Sequence, residues 1–385
     1  MAYRTFVSNS FMRSFTFLLF ALWVVLGCQQ PSNSEKDAKL ESENPSFAKG
    51  FRFLAGDGIR CVELLDLESD SIQAHCTICK GEPHDIGSEV IFIEKDETYA
   101  TLSTTHLAYF WKLNTLEHVK GTAFASYVRN SEVNEKLSSG EIKDISGEKE
   151  VDTEALIALA PRALITYPYG DMNYDRIEAL GIATIPFSEY LEEHPLGRAE
   201  WVKVVGFLTN EEEAANATFE QIRSAYESAS NKIQNIPESE RPVVFTGSHS
   251  NGMWYAPPGN SYISQFIQDA GGKYLFEDRR QKGNLSMQFE TLFKAAMQAD
   301  YWGKVIFDEG DLTLADLRAD DERYAALPAF KEGKVFYCNA AETDYFGDAI
   351  IEPEMILKDL IAILHTDTLD YHFKYFKPID PNSAE

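Results

Sequence analysis

The chain has 385 residues and carries 61 acidic against 35 basic side chains, which gives a formal net charge of −26 at pH 7. An excess of negative charge of this size makes the chain a poor partner for nucleic acid or for an anionic membrane surface. The length predicts two domains, each large enough to bury its own core.

The first predicted element is a signal peptide. Arg4 and Arg13 precede residues 15–26 (FTFLLFALWVVL), an apolar run without any charge. A transmembrane helix needs about 20 apolar residues, and this run is shorter, as the core of a signal peptide is. Residues 1–27 are therefore predicted to be removed on export.

A lipid anchor is predicted directly after the signal peptide. Residues 25–28 (VLGC) resemble the bacterial lipobox, after which a lipidated cysteine becomes the mature N-terminus, so Cys28 is the predicted attachment site. The alternatives are an ordinary signal peptide or an anchor helix that contains a cysteine. Residues 29–46 lack aromatic and β-branched side chains, which is typical of a solvated tether. The sequence predicts a periplasmic lipoprotein anchored through residues 28–47.

Four cysteines follow the predicted tether: Cys61, Cys76, Cys79 and Cys338. Residues 75–79 (HCTIC) and the nearby His84 resemble a zinc knuckle, but structural zinc sites usually have a second ligand pair, which the sequence lacks. Export to an oxidising compartment favours a disulfide, and Cys61–Cys76 across a hairpin is the predicted pair. Unpaired thiols are the alternative, and no metal site is predicted.

The sequence pattern changes near residue 100. Residues 48–100 contain short β-like runs, at residues 60–67 and 89–94, between turn signals. From residue 101 onward, apolar strands alternate with helices, which predicts an α/β layer with a mainly parallel sheet. The predicted helices and strands of this first lobe, residues 48–194, are residues 132–138, 153–160, 163–167, 175–180 and 182–187.

A helical segment, assigned to residues 195–235, comes next. Residues 197–209 predict one helix, and Asn210 is predicted to cap a second helix with three glutamates in its first turn. An apolar stripe along the second helix predicts that it faces the core. The stripe consists of Ala215, Phe219, Ile222, Tyr226, Ala229 and Ile233.

The α/β alternation restarts in a second lobe, predicted as residues 241–385. The chain is therefore predicted to form two α/β lobes with helices between them. The predicted strands of the second lobe are residues 242–246, 304–307 and 335–337, and its predicted helices are residues 261–269, 289–298 and 353–364.

Several stretches of the sequence together resemble a known family, the substrate-binding lipoproteins of ABC importers for iron–siderophore, haem and cobalamin. The resemblance covers about residues 48–380 and implies two Rossmann-like lobes joined by a single long helix, with the ligand cleft between them. The stretches that carry it are residues 104–107 (TTHL), 151–161 (VDTEALIALAP), 195–203 (PLGRAEWVK), 254–275 (WYAPPGNSYISQFIQDAGGKYL), 289–300 and 353–364.

The resemblance also implies an ABC permease dimer as a partner. In this family each lobe carries a surface glutamate that pairs with permease arginines, and by motif these are Glu154 and Glu290. Each begins a predicted helix, so stabilisation of the helix dipole by about 0.3–1 kcal/mol is the alternative reason for a glutamate there. One departure is Pro161-Arg162, where the family usually has Pro-Asp, so the local charge differs.

Candidate ligand-binding residues follow the predicted strands, because ligands of parallel sheets bind at the carboxyl ends of the strands. Aromatic side chains suit a large, flat or hydrophobic ligand, and ordinary packing is the alternative for each of them. His249 is the candidate axial contact to a metal within the ligand, whereas His106 either lines the cleft or caps a helix. The candidates are Tyr127, Arg129, Tyr167, Tyr169, His249, Trp254, Tyr255 and Tyr345.

Other functions receive less support. The sequence contains no G-x-x-x-x-G-K-[ST], H-E-x-x-H or G-x-S-x-G motif, so no enzyme is predicted and no cofactor is assigned. Its eight histidines are scattered, whereas a protein that binds a divalent metal directly clusters its ligands. A lipoprotein that passes ligand on at the outer membrane is a further alternative. The predicted ligand is an iron–siderophore, haem or cobalamin.

Overall fold

The structure, a computed structural model, describes residues 40–56, 58–68, 74–80, 90–147, 151–167, 174–365 and 371–381. The predicted signal peptide, Cys28, His84 and Tyr169 lie outside the described residues. Within the described ranges, no helix is long and apolar enough to cross a membrane.

Five strands form an N-terminal sheet in which strand order follows the chain. The first four run antiparallel, and the fifth pairs in parallel with the fourth. This sheet confirms the β-rich segment that the sequence predicts before residue 100. The strands are β1 (Glu41–Glu43), β2 (Phe51–Gly56), β3 (Ile59–Leu65), β4 (Ala74–Lys80) and β5 (Val90–Phe92).

A disulfide joins β3 and β4. Cys61 lies directly opposite Cys79, with 4.1 Å between the two Cα atoms, and their sulfur atoms are bonded. The same register places Cys76 opposite Leu64, so the predicted Cys61–Cys76 pair is wrong. Only residues that face each other across the strands bring their Cβ atoms close enough for a disulfide.

Buried carboxylates hold the segment between β1 and β2 in place. Glu200 accepts hydrogen bonds from the backbone N–H groups of residues 46, 47 and 48, at 2.8–3.0 Å. Glu192 accepts the N–H groups of Lys49 and Gly50 and the indole N–H of Trp201. Residues 41–47, which the sequence assigns to the tether, are thus part of the folded domain.

The first lobe is built on a parallel sheet with the strand order β10-β9-β6-β7-β8. All four residues of its β9 are buried, as expected for a strand covered on both faces. Its elements are β6 (Tyr99–Thr101), α1 (Thr104–Lys112), β7 (Val119–Thr122), α2 (Ser131–Ser139), β8 (Lys143–Asp144), α3 (Thr153–Leu159), β9 (Ala163–Thr166), α4 (Asp175–Glu178) and β10 (Ala183–Pro186).

Three helices connect the first lobe to the second: α5 (Pro195–Glu200), α6 (Val202–Thr209) and α7 (Glu212–Ser230). The helices contact both lobes, because α6 packs on α1 of the first lobe and on α7, whereas α7 packs on the last helix of the chain, residues 353–364. The predicted stripe of α7 is buried from Ala215 to Ala229. The sequence prediction is wrong at Asn210, which has a φ of 63° and ends α6 instead of capping α7.

The second lobe has a sheet in the order β14-β11-β16-β17-β18, parallel except for β18, and a small antiparallel sheet β12-β13-β15 that the sequence did not predict. Its α12 packs against α7. The elements are β11 (Val243–Thr246), β12 (Ser248–Ser250), β13 (Met253–Ala256), α8 (Tyr262–Asp269), β14 (Lys273–Tyr274), β15 (Leu285–Gln288), α9 (Phe289–Ala296), β16 (Tyr301–Ile306), α10 (Leu314–Asp320), α11 (Pro328–Lys331), β17 (Val335–Asn339), α12 (Pro353–Leu364) and β18 (Lys377–Pro378).

Candidate functional site

A cleft of about 280 Å³ lies where the carboxyl ends of β6, β7 and β9 approach the second lobe. Its lining is uncharged, and four of its eight residues are aromatic. The lining residues are Leu102, Ser103, Thr104, Thr105, Phe124, Tyr127, Tyr167 and Phe346.

The turn between β6 and α1 forms one wall of the cleft. Ser103 caps α1, because its Oγ accepts a hydrogen bond from the N–H of Thr105 at 3.3 Å. The next residue reaches the other lobe: Thr104 Oγ1 donates to the carbonyl oxygen of Phe346 at 3.3 Å. This hydrogen bond therefore connects the wall to the aromatic residue on the other lobe.

Phe124 is held toward solvent by its backbone. Its φ of 58° lies in the left-handed region, which is uncommon for a residue with a bulky side chain. The N–H of Phe124 donates to Ser146 Oγ at 2.7 Å, and its side chain is 47% exposed. Strained conformations of this kind are retained more often at functional sites than elsewhere.

Aromatic rings from both lobes meet at the cleft. The Tyr127 ring lies 6.4 Å from that of Phe124 and 5.3 Å from that of Phe307, which follows β16 in the second lobe. Phe346 joins them at the cleft wall. We call Phe124, Tyr127 and Phe346 of the lining, together with Phe307 beside it, the cleft aromatics; each is 46–49% exposed. A cluster of exposed aromatic rings is typical of a binding surface.

Arg129 bridges the two lobes. Its Nε donates to the carbonyl oxygen of Ala341 at 2.8 Å, and its Nη1 donates to that of Ser126 at 2.7 Å. The guanidinium carbon lies 5.6 Å from the centre of the Phe307 ring. The predicted ligand residue Arg129 thus lies at the edge of the cleft aromatics, and its side chain donates to three backbone carbonyl oxygens of the protein, those of residues 126, 128 and 341.

Polar contacts also connect the two lobes next to Arg129. Asn130 Nδ2 donates to both carboxylate oxygens of Asp348, at 2.9 and 3.1 Å. The backbone N–H groups of residues 129 and 130 donate to Asp344. Burial raises the pKa of Asp344, and burial and the neighbouring Asp344 raise the pKa of Asp348 to about 7.

Tyr345 lies beside the cleft and faces the interior of the second lobe. Its ring is 5.3 Å from that of Phe346 and 5.8 Å from that of Phe376. Burial raises the pKa of the Tyr345 hydroxyl well above its usual value. The residue that follows it, Phe346, is the one that enters the cleft.

Trp254 belongs to the core, which corrects its prediction as a ligand residue. It is 1% exposed and packs between Phe245 and Trp302, and its Nε1 donates to the carbonyl oxygen of Thr246 at 3.2 Å. Because successive residues of a strand point to opposite faces, its neighbour Tyr255 is 37% exposed. Tyr255 lies on the small sheet between Ser248 and Ser286.

Two histidines also lie away from the cleft. The exposed His249 is on β12, and its ring packs 5.8 Å from that of Phe289 at the start of α9. His106 is fully buried in α1, with its ring 5.2 Å from that of Phe187 and its Nε2 3.7 Å from Glu189. His106 is not among the residues that line the cleft. It does not cap α1 either, because the N-cap of that helix is Ser103.

Glu154 and Glu290 occupy equivalent positions in the two lobes. Each lies in the first turn of a helix, α3 and α9, and each is exposed. Glu154 follows Asp152, which caps α3. The Glu290 carboxylate lies 3.5 Å from the guanidinium of Arg323, which also covers the Phe289 ring. Glu290 therefore already has a cationic neighbour in its own chain.

The sequence did not single out three of the four cleft aromatics. Phe124 and Phe307 each follow the end of a parallel strand, and Phe346 follows the predicted Tyr345. The sequence pattern predicts Phe307 as the last residue of a strand, whereas β16 ends one residue earlier, at Ile306. The signal available was the rule that residues just beyond strand ends line ligand sites.

Known proteins share the sequence pattern and the fold. The model of the periplasmic binding protein family matches residues 102–342. Two relatives are uncharacterised lipoproteins of Methanocaldococcus jannaschii. One is 28% identical over 295 residues, 74% of this chain and 69% of the relative. The other is 26% identical over 274 residues, 68% of this chain and 69% of the relative.

Solved structures show the same fold at low sequence identity. A periplasmic haem-binding protein from Pseudomonas aeruginosa has a TM-score of 0.56 and 15% identity, covering 74% of this chain and 96% of its own. The siderophore-binding protein FhuD from Vibrio cholerae, bound to Fe³⁺–Desferal, has a TM-score of 0.52 and 14% identity. The match covers 70% of this chain and 100% of the Vibrio protein. Since the family model matches more than half of the sequence, the chain belongs to the periplasmic binding protein family.

Proposed function

We propose that the protein is the extracytoplasmic substrate-binding component of an ABC importer and that its ligand is an iron chelate, either a siderophore complex or haem. Cobalamin is the alternative ligand. The observation that carries the proposal is the group of cleft aromatics, which two lobes present to one another at the carboxyl ends of parallel strands.

The chemistry of the cleft favours an organic complex over a bare metal ion. The cleft lining among the described residues contains no histidine, cysteine or carboxylate, and these are the groups that hold divalent metals. Exposed aromatic faces instead bind flat or hydrophobic surfaces. In an iron chelate the organic ligand coordinates the metal, so the protein needs to contact only the outer surface of the complex.

The arrangement of the lobes supports capture and release with little movement. Hydrogen bonds from Thr104 and Asn130 already connect the lobes, and α6, which packs on the first lobe, also packs on α7, which packs on the second. We infer that the surface glutamates Glu154 and Glu290 present the loaded protein to the permease. We also infer that Cys28 carries the lipid that keeps it at the membrane.

A spectroscopic screen tests the proposed ligand. The exported protein is titrated with haem, ferrioxamine and cyanocobalamin, and the absorbance of the ligand and the quenching of tryptophan fluorescence are recorded. Saturable binding of haem or ferrioxamine with one ligand per chain is expected. Saturable binding of cyanocobalamin alone selects the alternative, and saturable binding of free Zn²⁺ or Mn²⁺ with none of the three complexes overturns the proposal.

A cleft variant and a matched control locate the binding. Phe346→Ala removes an aromatic ring that is 47% exposed at the cleft, and Phe373→Ala removes one that is 37% exposed elsewhere in the second lobe. We expect the first change to weaken binding at least tenfold and the second to leave the dissociation constant unchanged. Equal binding by both variants places the ligand outside the cleft.

A further inference from the structure

A second cavity, of about 510 Å³ and open to solvent on one side, lies in the second lobe. It occupies the space between one face of the sheet, at β11, β16 and β17, and the helices α8 and α12. We call it the second-lobe cavity. Its inner walls are apolar and buried, and they consist of Phe266, Ile267, Phe336, Leu360 and Phe376.

The volume of this cavity indicates a binding function. The cavity is open to solvent on the side of its exposed lining residues, so a small molecule can enter it. A space of 510 Å³ lies within the range of about 300–1,000 Å³ that small-molecule sites have.

The second-lobe cavity adjoins the cleft. Phe346 lines both spaces, and the half-buried Tyr345 beside it lines the cavity. The outer part of the cavity is lined by the exposed residues Ser248, Asn284 and Val305. A flexible group attached to a molecule in the cleft therefore has a route past Phe346 into the cavity.

The walls select an uncharged, apolar occupant. Lys304 is the one charged residue of the described lining, and its Nζ lies 3.4 Å from Asp320 outside the cavity wall. A carbon chain suits the shape because it is thin enough to pass one aromatic side chain. With about 30 Å³ for each water-sized group, a ten-carbon chain takes roughly 300 Å³ and fits.

We propose that the second-lobe cavity binds a linear aliphatic chain of the same ligand whose iron-chelating part occupies the cleft. The cargo is then an acylated, amphiphilic iron chelate. This inference rests on the proposed function, but the cavity can be tested without any chelate, because a free fatty acid presents the same chain chemistry.

The first experiment uses decanoic acid as the probe, with binding to the exported protein measured by calorimetry. Val305→Trp fills the mouth of the cavity at a side chain that is 38% exposed, so the core is left intact. Leu180→Trp makes a comparable change at an aliphatic side chain of the first lobe that is 47% exposed. We expect Val305→Trp to weaken decanoate binding at least tenfold and Leu180→Trp to leave it unchanged.

Thermal unfolding of both variants controls for damage to the fold. If the unchanged protein shows no saturable binding of decanoate, the inference is overturned. It is also overturned if Val305→Trp binds decanoate as tightly as the unchanged protein and has the same unfolding temperature. These results leave the proposed function standing if haem or ferrioxamine still binds.

The second experiment asks whether the chain belongs to the chelate. Ferrioxamine is compared in two forms, one acylated at its free amine with a decanoyl group and the other with an acetyl group. The decanoyl form is expected to bind at least tenfold more tightly, and Val305→Trp is expected to remove that difference. Equal affinity of the two forms overturns the assignment of the chain to the chelate and leaves free fatty acid as the occupant.

Discussion

Asn130 of the first lobe donates its side-chain amide to both carboxylate oxygens of Asp348 in the second lobe, at 3.1 and 2.9 Å. The contact lies beside Arg129, which bridges the same lobes through Ala341. Burial, and after it the charge of Asp344, raises the pKa of Asp348 from 3.8 to about 7. The interface between the lobes therefore contains a carboxyl group that titrates near neutral pH.

This shift predicts how stability depends on pH. Between about pH 4 and pH 7 the folded chain keeps a proton on Asp348 that the unfolded chain has lost. The free energy of unfolding therefore decreases as the pH rises through this window and levels off above it. Asp348→Asn removes the titrating group, so it should reduce this slope and raise the free energy of unfolding at pH 8. We expect an increase of about 1–2 kcal/mol, which is less than the full pKa shift corresponds to because the carboxyl is partly exposed.

Urea unfolding at pH 5 and pH 8 measures this effect. Glu227→Gln, which changes an exposed carboxyl on α7, is the control and should leave the pH dependence as it is. If Asp348→Asn shows the same decrease between pH 5 and pH 8 as the unchanged protein, Asp348 does not hold the proton.

Tyr127→Ala tests the cleft from the side of the first lobe. Tyr127 is the cleft aromatic that contacts rings of both lobes, so its removal should weaken binding of haem or ferrioxamine by about 1–2 kcal/mol, as loss of an aromatic anchor does. The unfolding temperature should change little, because the side chain is 46% exposed. Unchanged affinity would exclude Tyr127 from the ligand site.

Trp254→Ala should act on stability and leave ligand affinity as it is. The change empties a buried site between Phe245 and Trp302 and removes a hydrogen bond to Thr246, so a loss of about 3–5 kcal/mol is expected. Tyr255→Ala, at the exposed neighbouring residue, should cost less than about 1 kcal/mol. Chemical unfolding measures both, and similar losses in the two variants would contradict the placement of Trp254 in the core.

Much of the fold follows from local patterns in the sequence. The predicted buried strand at residues 163–167 corresponds to β9, whose four residues are all buried because it is covered on both faces. The stripe of α7 is buried as its spacing predicts. Both features depend on neighbours within the same element, so they are visible without knowledge of the rest of the fold.

The errors concern pairings between distant segments. Cys61 bonds to Cys79 because the register of β3 and β4 brings them opposite each other, and nothing in the cysteine spacing fixes that register. Trp254 and Tyr255 are adjacent in sequence, and only the pairing of β13 with β12 and β15 decides which of them is buried. The cleft aromatics come from separate loops, so their meeting depends on the packing of two lobes.

Cys28→Ser tests the predicted lipid anchor. The motif at residues 25–28 predicts lipid attachment at this thiol, so the variant should accumulate as unprocessed precursor or as protein released from the membrane. Incorporation of labelled palmitate in growing cells, followed by separation of membrane and soluble fractions, measures both effects. Label that still enters the Cys28→Ser protein would place the lipid elsewhere.

Glu154→Arg combined with Glu290→Arg tests docking to the permease. Both residues are exposed in the first turns of α3 and α9 and neither lines the cleft, so ligand affinity should stay within about twofold of that of the unchanged protein. If the two glutamates pair with permease arginines, the reversal places like charges opposite one another, which costs more than truncation does.

The expected result of this reversal is normal ligand binding with loss of uptake in cells and of ATPase stimulation in reconstituted membranes. Of the two single changes, Glu290→Arg should reduce transport less than Glu154→Arg, because Arg323 already lies 3.5 Å from the Glu290 carboxylate and offsets part of its charge. Glu227→Arg on the exposed face of α7 is the matched control and should transport normally. Full transport by the double variant would exclude the docking role, and lost ligand affinity would place these glutamates in the binding site instead.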